Sequence, residues 1–197
     1  MTAPALRVLE AEYRNYRRTW RGSIISTFLN PLLFLTAMGV LLGSLVDRGA
    51  GQAELSIPFV SFAATGLLAA SSMQTGFGEG AWPIMAGIKW RKTFDAVLAT
   101  PVAVSSMVSG MLMWGWVRLG FAALVYGLVA ALFGAIEIAP LLMVIPAAIL
   151  TGSVFHACTF AMTAGIDNET VLSNTFRFVI LPLFLFSGTF FPISQLP

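Results

Sequence analysis

The chain has 197 residues, of which 57% are hydrophobic and only 10% charged, and its mean hydropathy is +0.85. A soluble domain has roughly 25% charged residues, so this composition excludes a single water-soluble core and indicates an all-α polytopic membrane protein. The formal net charge of +2 comes from a few loops rather than from a nucleic-acid-binding patch, and the single cysteine, Cys158, excludes an internal disulfide.

Residues 1–22 are predicted to form an amphipathic helix at the cytoplasmic membrane surface. Apolar and aromatic residues recur at spacings of three and four, and five arginines surround them. The apolar stripe consists of Leu6, Leu9, Tyr13, Tyr16 and Trp20, and the arginines are Arg7, Arg14, Arg17, Arg18 and Arg21. This pattern is typical of a helix that lies among lipid headgroups. The alternative is the charged start of a signal peptide, but the apolar run that follows is longer than the roughly 7–15 residues of a signal peptide core.

Five apolar stretches follow, each near the roughly 20 residues that cross a bilayer. They cover about 23–46, 57–78, 102–133, 141–165 and 172–191, so residues 23–197 are predicted to form the transmembrane domain. The third stretch is long, and we expect it to tilt or to begin in the headgroup layer. An odd number of spans, with no polar segment after the last one, leads us to expect a piece of a longer protein.

Basic residues predict the orientation of these spans. The N-terminal segment contains five arginines and loop 79–101 contains Lys89, Arg91 and Lys92, whereas loop 47–56 contains only Arg48 and loop 134–140 contains no basic residue. The positive-inside rule therefore places the N-terminus and loop 79–101 in the cytoplasm of a multi-pass bacterial inner-membrane protein. The short turn at 166–171 is expected on the same side.

A short charged segment within loop 79–101 is predicted to form an amphipathic helix over about 89–100. Its apolar positions are Trp90, Phe94, Val97 and Leu98, and its polar positions are Lys89, Arg91, Lys92 and Asp95. The apolar positions have the helical spacing i, i+4, i+7, i+8, and Pro101 is expected to end the helix. Such a helix suits docking either on lipid or on a soluble partner.

Three polar residues in or beside the spans are candidate functional residues. Arg118 is expected to extend its guanidinium to the headgroups, because the neighbouring Trp114 and Trp116 favour that layer; the alternative is a place on a translocation path. His156 is expected to form a hydrogen bond with a neighbouring helix, with a proton relay or a substrate contact as the alternative. Glu79 either pairs with the basic residues of its loop or ends a helix in solvent.

Two glycine pairs have the spacing that lets helices approach closely. Gly39 and Gly43 in the first span form a G-x-x-x-G pattern and are a candidate packing or dimer face. Gly76 and Gly80, at the end of the second span, form another.

The sequence contains no pattern for chemistry of its own. The residues around Lys89 and Lys92 do not fit a P-loop, so we expect no ATP hydrolysis by this chain. A sole histidine and a sole cysteine predict neither a metal site nor a bound cofactor. An intramembrane hydrolase that uses Ser153 and His156 is an alternative, but the sequence offers no carboxylate to orient the histidine.

The order of these segments resembles the permease subunits of type 2 ATP-binding cassette exporters. Residues 92–102, KTFDAVLATPV, are similar to the loop signature of that family, with Thr100 and Pro101 in its T-P-V ending. Residues 185–192, LFSGTFFP, resemble its fifth span and the turn into external helices. This ending is most similar to the branch that exports drugs and nodulation-type lipo-oligosaccharides.

The resemblance implies a function for the charged loop. Residues 89–100 would be a coupling helix that docks on a separate ABC ATPase, which binds ATP and magnesium. Two permeases and two ATPases would export an amphipathic drug, glycolipid or lipo-oligosaccharide, and export of a drug would confer antibiotic resistance. The implied coupling residues are Lys89, Trp90, Arg91, Lys92, Phe94, Asp95, Val97, Leu98, Thr100 and Pro101. The alternative is a membrane-assembly or lipid-organising protein whose loops contact only headgroups.

Overall fold

A computed structural model describes residues 4–37 and 59–189, and this described part contains helices and turns but no strand. The helices are α1 (Pro4–Leu35), α2 (Phe59–Met85, continued by a wide π-type turn at Ala86–Trp90), α3 (Thr93–Leu98), α4 (Val104–Leu132), α5 (Ile138–Gly165) and α6 (Thr170–Phe186, with a π-type turn at Phe176–Ile180). The predicted packing pair Gly39 and Gly43 lies outside the described residues.

The N-terminal helix differs from the expected arrangement of a surface helix followed by a separate span. Helix α1 is continuous for 32 residues and passes through the predicted boundary at 22 without a break. Gly22 alone does not interrupt a helix, and the Thr27 hydroxyl donates a hydrogen bond to the Ser23 carbonyl at 2.7 Å within the same helix. The arginine-rich half and the apolar half of α1 therefore belong to one continuous helix.

Two of the described helices, α4 and α5, are long and apolar enough to cross a membrane by length and composition. They contain 29 and 28 residues, so each is about 42 Å long, against about 30 Å for the hydrocarbon core of a bilayer. Much of α5 is exposed, with large apolar side chains such as Leu142, Met143 and Leu150 on its surface. Helix α2 has a similar length but contains several polar residues, which lower its hydropathy. The number of five spans remains a prediction.

Helices α2 and α5 pack closely through small residues. A Cβ atom placed on Gly76 would lie 2.1 Å from the carbonyl oxygen of Gly152, and one on Gly80 would lie 2.7 Å from that of His156. No larger residue fits at either position without separating the helices. The close helix approach expected from the Gly76 and Gly80 spacing is therefore present, and α5 is the partner helix.

Three segments meet at one end of the bundle, which we call the basic end: the start of α1, residues 86–103 and the turn 166–169. The α4 residue Gly110 packs against Ala5 and Val8 of α1, and Lys89 forms an ion pair with Asp167. Leu35 and Ala135 share a hydrophobic cluster that lies farther along the bundle. The structure thus brings the segments predicted to be cytoplasmic together at one end.

Candidate functional site

The segment between α2 and α4, residues 86–103, is the connecting segment, and its conformation corrects the predicted helix over 89–100. Lys89 and Trp90 belong to the last turn of α2, where the Arg91 N–H donates to the Ala86 carbonyl at 2.8 Å. Lys92 then adopts a left-handed conformation with φ 50°, which costs a non-glycine residue about 1–2 kcal/mol. A new helix, α3, covers only Thr93–Leu98. The predicted single helix is two pieces with a sharp change of direction between them.

Two residues predicted to grip a partner are turned toward the bundle. Phe94 and Val97 are partly buried against a hydrophobic cluster that includes Ile84, Met107 and Phe160. The predicted apolar side is therefore divided: Phe94 and Val97 are covered by this chain itself, whereas Trp90 and Leu98 are exposed. Phe94 and Val97 therefore anchor the connecting segment to α2 and α4.

Other side chains of the connecting segment are exposed. Trp90 and Leu98 are 56% and 42% exposed, and the Thr100 hydroxyl donates to the Val97 carbonyl at 2.6 Å, where Pro101 ends the helical turn. These exposed residues, which we call the outward surface, are Trp90, Arg91, Lys92, Asp95, Leu98, Thr100 and Pro101. Trp90, Arg91 and Thr100 also line a cavity at the basic end. The outward surface combines two exposed large apolar side chains with charges of both signs, which is a composition suited to protein contact.

An ion pair ties the connecting segment to the turn before α6. The Lys89 ammonium donates to an Asp167 carboxylate oxygen. This hydrogen bond and the charge of Lys89 lower the pKa of Asp167. Nothing in the sequence pairs Lys89 with Asp167, although both loops are predicted to lie on the same side of the membrane.

Arg118 and Glu79 form a partly buried ion pair between α4 and α2. Arg118 Nε donates to Glu79 Oε1 at 2.9 Å, and the two side chains are only 18% and 15% exposed. The expectations that Arg118 reaches the headgroups and that Glu79 pairs with the loop are therefore wrong. An arginine in an apolar helix needs a counter-charge, and Glu79 supplies it from the adjacent helix α2.

Aromatic side chains cover this ion pair. The guanidinium carbon of Arg118 lies 4.6 Å from the ring centre of Tyr16, and Trp114 contacts the same ring edge-on at 5.5 Å. Tyr16 thus faces α4 rather than lipid, and its hydroxyl has no hydrogen-bond partner among the described residues. Helix α1 closes the ion pair off from one side through a cation–π contact.

His156 is a packing residue at the centre of the bundle. It is 2% exposed, its Nδ1 has no hydrogen-bond partner within residues 4–37 and 59–189, and its ring lies edge-on to Phe160 at 6.3 Å. A Cβ on Gly115 would lie 2.0 Å from His156 Cε1. The expected hydrogen bond to a neighbouring helix is therefore not formed in the described part, and the ring instead fills the space that Gly115 leaves open.

The geometry opposes the hydrolase alternative. The Ser153 hydroxyl donates to the Ile149 carbonyl at 2.7 Å, and in the described structure it forms no hydrogen bond with His156. A serine nucleophile needs its base within hydrogen-bond reach.

Two cavities meet at Arg118. The first, of about 970 Å³, lies at the basic end between α1, the end of α2, the connecting segment and α4. The second, of about 490 Å³, lies farther along the bundle between α1, α2, α4 and α6. Uncharged polar side chains line much of the second cavity: Thr27, Asn30, Ser71, Gln74, Thr75 and Tyr126.

Glu12 is a further acidic residue at the first cavity. Partial burial raises its pKa, while a hydrogen bond from Asn15 and the charge of Arg91 act in the opposite direction. The sequence analysis gave no role to Glu12. Glu12 lies within an arginine-rich stretch of the sequence, and only the structure shows that it lines the cavity.

Comparison with known proteins relates the chain to one family. Residues 6–197 match the family model described as "ABC-2 type transporter". Nodulation protein J of Rhizobium meliloti (strain 1021) is 29% identical over 190 residues, which cover 96% of this chain and 71% of that relative. Nodulation protein J of Rhizobium leguminosarum bv. viciae is 27% identical over 192 residues, with 98% and 72% covered. No solved structure matches the chain.

Proposed function

Since the chain belongs to the ABC-2 type transporter family, we propose that it is the permease subunit of an ATP-driven exporter and that its connecting segment docks on a separate ABC ATPase. The ATPase would bind ATP and magnesium, and this chain would supply the membrane path. The assembly would contain a second permease copy and lie in the bacterial inner membrane, with the basic end in the cytoplasm.

The observation that carries this proposal is that the connecting segment combines covered anchoring residues with exposed ones. Phe94 and Val97 fix the segment to α2 and α4, whereas Trp90 and Leu98 are exposed beside Asp95. A segment with both anchored and exposed residues can pass a push from a partner to two long helices as rigid-body motion. A segment that only coats headgroups would have no need of such an anchor.

The proposed cargo is an amphiphile: a drug, a glycolipid or a lipo-oligosaccharide. The intramembrane cavity supports this class, because its wall combines amide and hydroxyl groups with apolar side chains such as Phe34 and Leu67. Hydroxyl-rich headgroups find hydrogen-bond partners on such a wall, and alkyl chains find apolar contact. The lipo-oligosaccharide belongs to this class because residues 185–192 resemble the ending of the exporters of nodulation-type lipo-oligosaccharides.

A charge reversal and a new charge on the outward surface test the docking. We expect Asp95→Arg and Leu98→Asp each to lower recovery of the ABC ATPase about tenfold or more when the tagged permease is purified from membranes. The recovered partner must be identified by mass spectrometry as a protein with a P-loop. Because the ATPase is cytoplasmic, its recovery would also support the proposed orientation.

Glu137→Arg is the matched control, because Glu137 is an exposed acidic residue in the loop that joins α4 and α5. It should leave ATPase recovery unchanged. Equal recovery with Asp95→Arg, Leu98→Asp and wild type would contradict docking through this surface and favour the lipid-organising alternative.

A further inference from the structure

The cavity at the basic end has the size and lining of a lipid site. Its volume of about 970 Å³ exceeds what a few ordered waters need and lies in the range of ligand pockets, which are roughly 300–1,000 Å³. Helix α1 forms one wall, and the connecting segment with the end of α2 forms another. The cavity therefore lies where the membrane-spanning helices give way to the charged loops.

Both signs of charge line this cavity. Arg118 and Glu79 neutralise each other at 2.9 Å, and Arg7 on the α1 wall has an interaction of its own. Glu12 and Arg91 lie within electrostatic range of each other on different walls. Arg91 is an exposed residue whose guanidinium can donate to a phosphate, and the carboxylate of Glu12 can accept from an ammonium. A ligand that carries both charges a few bonds apart complements this pair.

Aromatic residues complete the lining. Trp82, Trp90 and Trp114 face the cavity together with apolar side chains such as Val8 and Met111. Tryptophan prefers the layer between headgroups and acyl chains, because its ring is apolar and its N–H is polar. The wall is thus polar at the charged pair and apolar beside it. Such a wall suits a lipid headgroup and the first part of the acyl chains attached to it.

We propose that this cavity binds one phospholipid whose headgroup carries a primary ammonium beside the phosphate, with the ammonium at Glu12 and the phosphate at Arg91. The lipid is a resident ligand that fills the space between α1 and the connecting segment, and its binding does not depend on transport. A primary ammonium donates hydrogen bonds to a carboxylate, whereas a trimethylated ammonium has no N–H to donate. The site therefore discriminates between headgroups of equal charge.

Native mass spectrometry of the full chain in nanodiscs tests this site. The nanodiscs contain equal amounts of phosphatidylethanolamine, phosphatidylcholine and phosphatidylglycerol with identical acyl chains. We expect one phosphatidylethanolamine to be retained about tenfold above phosphatidylcholine, the difference that one charge-assisted hydrogen bond makes. Glu12→Gln should bring the two lipids to parity.

Glu10→Gln is the matched control. Glu10 is two residues away on α1, exposed and paired with Arg14 at 2.5 Å, so its neutralisation should leave lipid retention as in wild type. Equal retention of the two zwitterionic lipids by wild type would overturn the proposal. Preferred retention of phosphatidylglycerol would also overturn it, in favour of an arginine-based anionic lipid site.

A second variant tests the cavity without changing any charge. Ala11 lies on the cavity wall, and Ala11→Phe places a ring in the space assigned to the lipid. We expect this variant to lose the bound phosphatidylethanolamine. When the acyl chains of that lipid are brominated, the quenching of tryptophan fluorescence should decrease to a matching extent. Unchanged retention and quenching in Ala11→Phe would place the lipid elsewhere and overturn the proposal.

Discussion

The phenyl ring of Phe94 lies directly against the backbone of Gly87, and a Cβ atom on Gly87 would be only 2.4 Å from Phe94 Cε1. Gly87 is in the wide turn that ends α2, and Phe94 is in α3. This contact links α3 to the turn that ends α2. Glycine is required here by the closeness of the ring rather than by an unusual backbone angle.

We expect Gly87→Ala to displace the Phe94 ring and to separate α3 from α2. Overpacking of this kind costs about 1–3 kcal/mol, so the purified permease should have a lower apparent Tm. Gly78→Ala in the same helix is the control, because nothing lies within 4 Å of a Cβ there, and alanine is the better helix former by up to about 1 kcal/mol. Equal Tm values for Gly87→Ala and wild type would show that Phe94 does not hold the segment.

The ion pair between Arg118 and Glu79 gives a prediction about two variants and their combination. Arg118→Gln or Glu79→Gln alone leaves an uncompensated charge between helices, which costs about 3–5 kcal/mol. The double variant Arg118→Gln, Glu79→Gln has no such charge and should regain most of the apparent Tm. Additive losses in the double variant would contradict direct pairing.

An exposed ion pair of the same chain serves as the control for this comparison. Arg14 and Glu10 are 2.5 Å apart on α1, with side chains 74% and 58% exposed. A pair of this type contributes about 0.3–0.5 kcal/mol. Neutralising Arg14 or Glu10 should therefore leave Tm close to that of wild type.

Sequence reasoning predicted some of this structure well. The bounds of α4 and α5 agree with the stretches 102–133 and 141–165 to within three residues, because long apolar runs are unambiguous. The spacing of Gly76 and Gly80 also indicated a close helix contact. These features depend on local composition and spacing, which a single sequence shows directly.

The predictions that failed depend on how distant parts of the chain pack against each other. Periodicity placed Trp90, Phe94, Val97 and Leu98 on one apolar side, but in the structure Phe94 and Val97 are covered by the same chain and Trp90 and Leu98 are exposed. The pairing of Arg118 with Glu79 joins residues 39 positions apart and needs the relative placement of two helices. The left-handed turn at Lys92 has no local signal, since lysine is not a residue that favours this conformation.

The raised pKa of Glu12 predicts a pH-dependent effect of its neutralisation. Burial disfavours the ionised form of Glu12 in the folded state. The contribution of protonated Glu12 to folding stability is therefore fully present below its ordinary pKa of 4.5, and it is lost as the pH rises through the pKa of the folded state. In lipid-free detergent, Glu12→Gln should therefore raise Tm at pH 7.5 and change it little at pH 4.5. Glu10→Gln is the charge control, and a gain for Glu12→Gln that is equal at both pH values would contradict the burial of this carboxyl.

The contact between Gly115 and His156 predicts a pair of compensating substitutions. A Cβ on Gly115 would lie 2.0 Å from His156 Cε1, so Gly115→Ala should force α4 and α5 apart and lower Tm, by about 1–3 kcal/mol in stability. His156→Ala alone leaves a cavity and is also expected to destabilise. The loss of stability in the double variant should be smaller than the sum of the losses in the two single variants, because the new methyl group enters the space that the ring vacates. Gly120→Ala is the control, since its Cβ would meet Ile149 at an ordinary 3.8 Å. A double variant whose loss equals that sum would show that the two positions are not in contact.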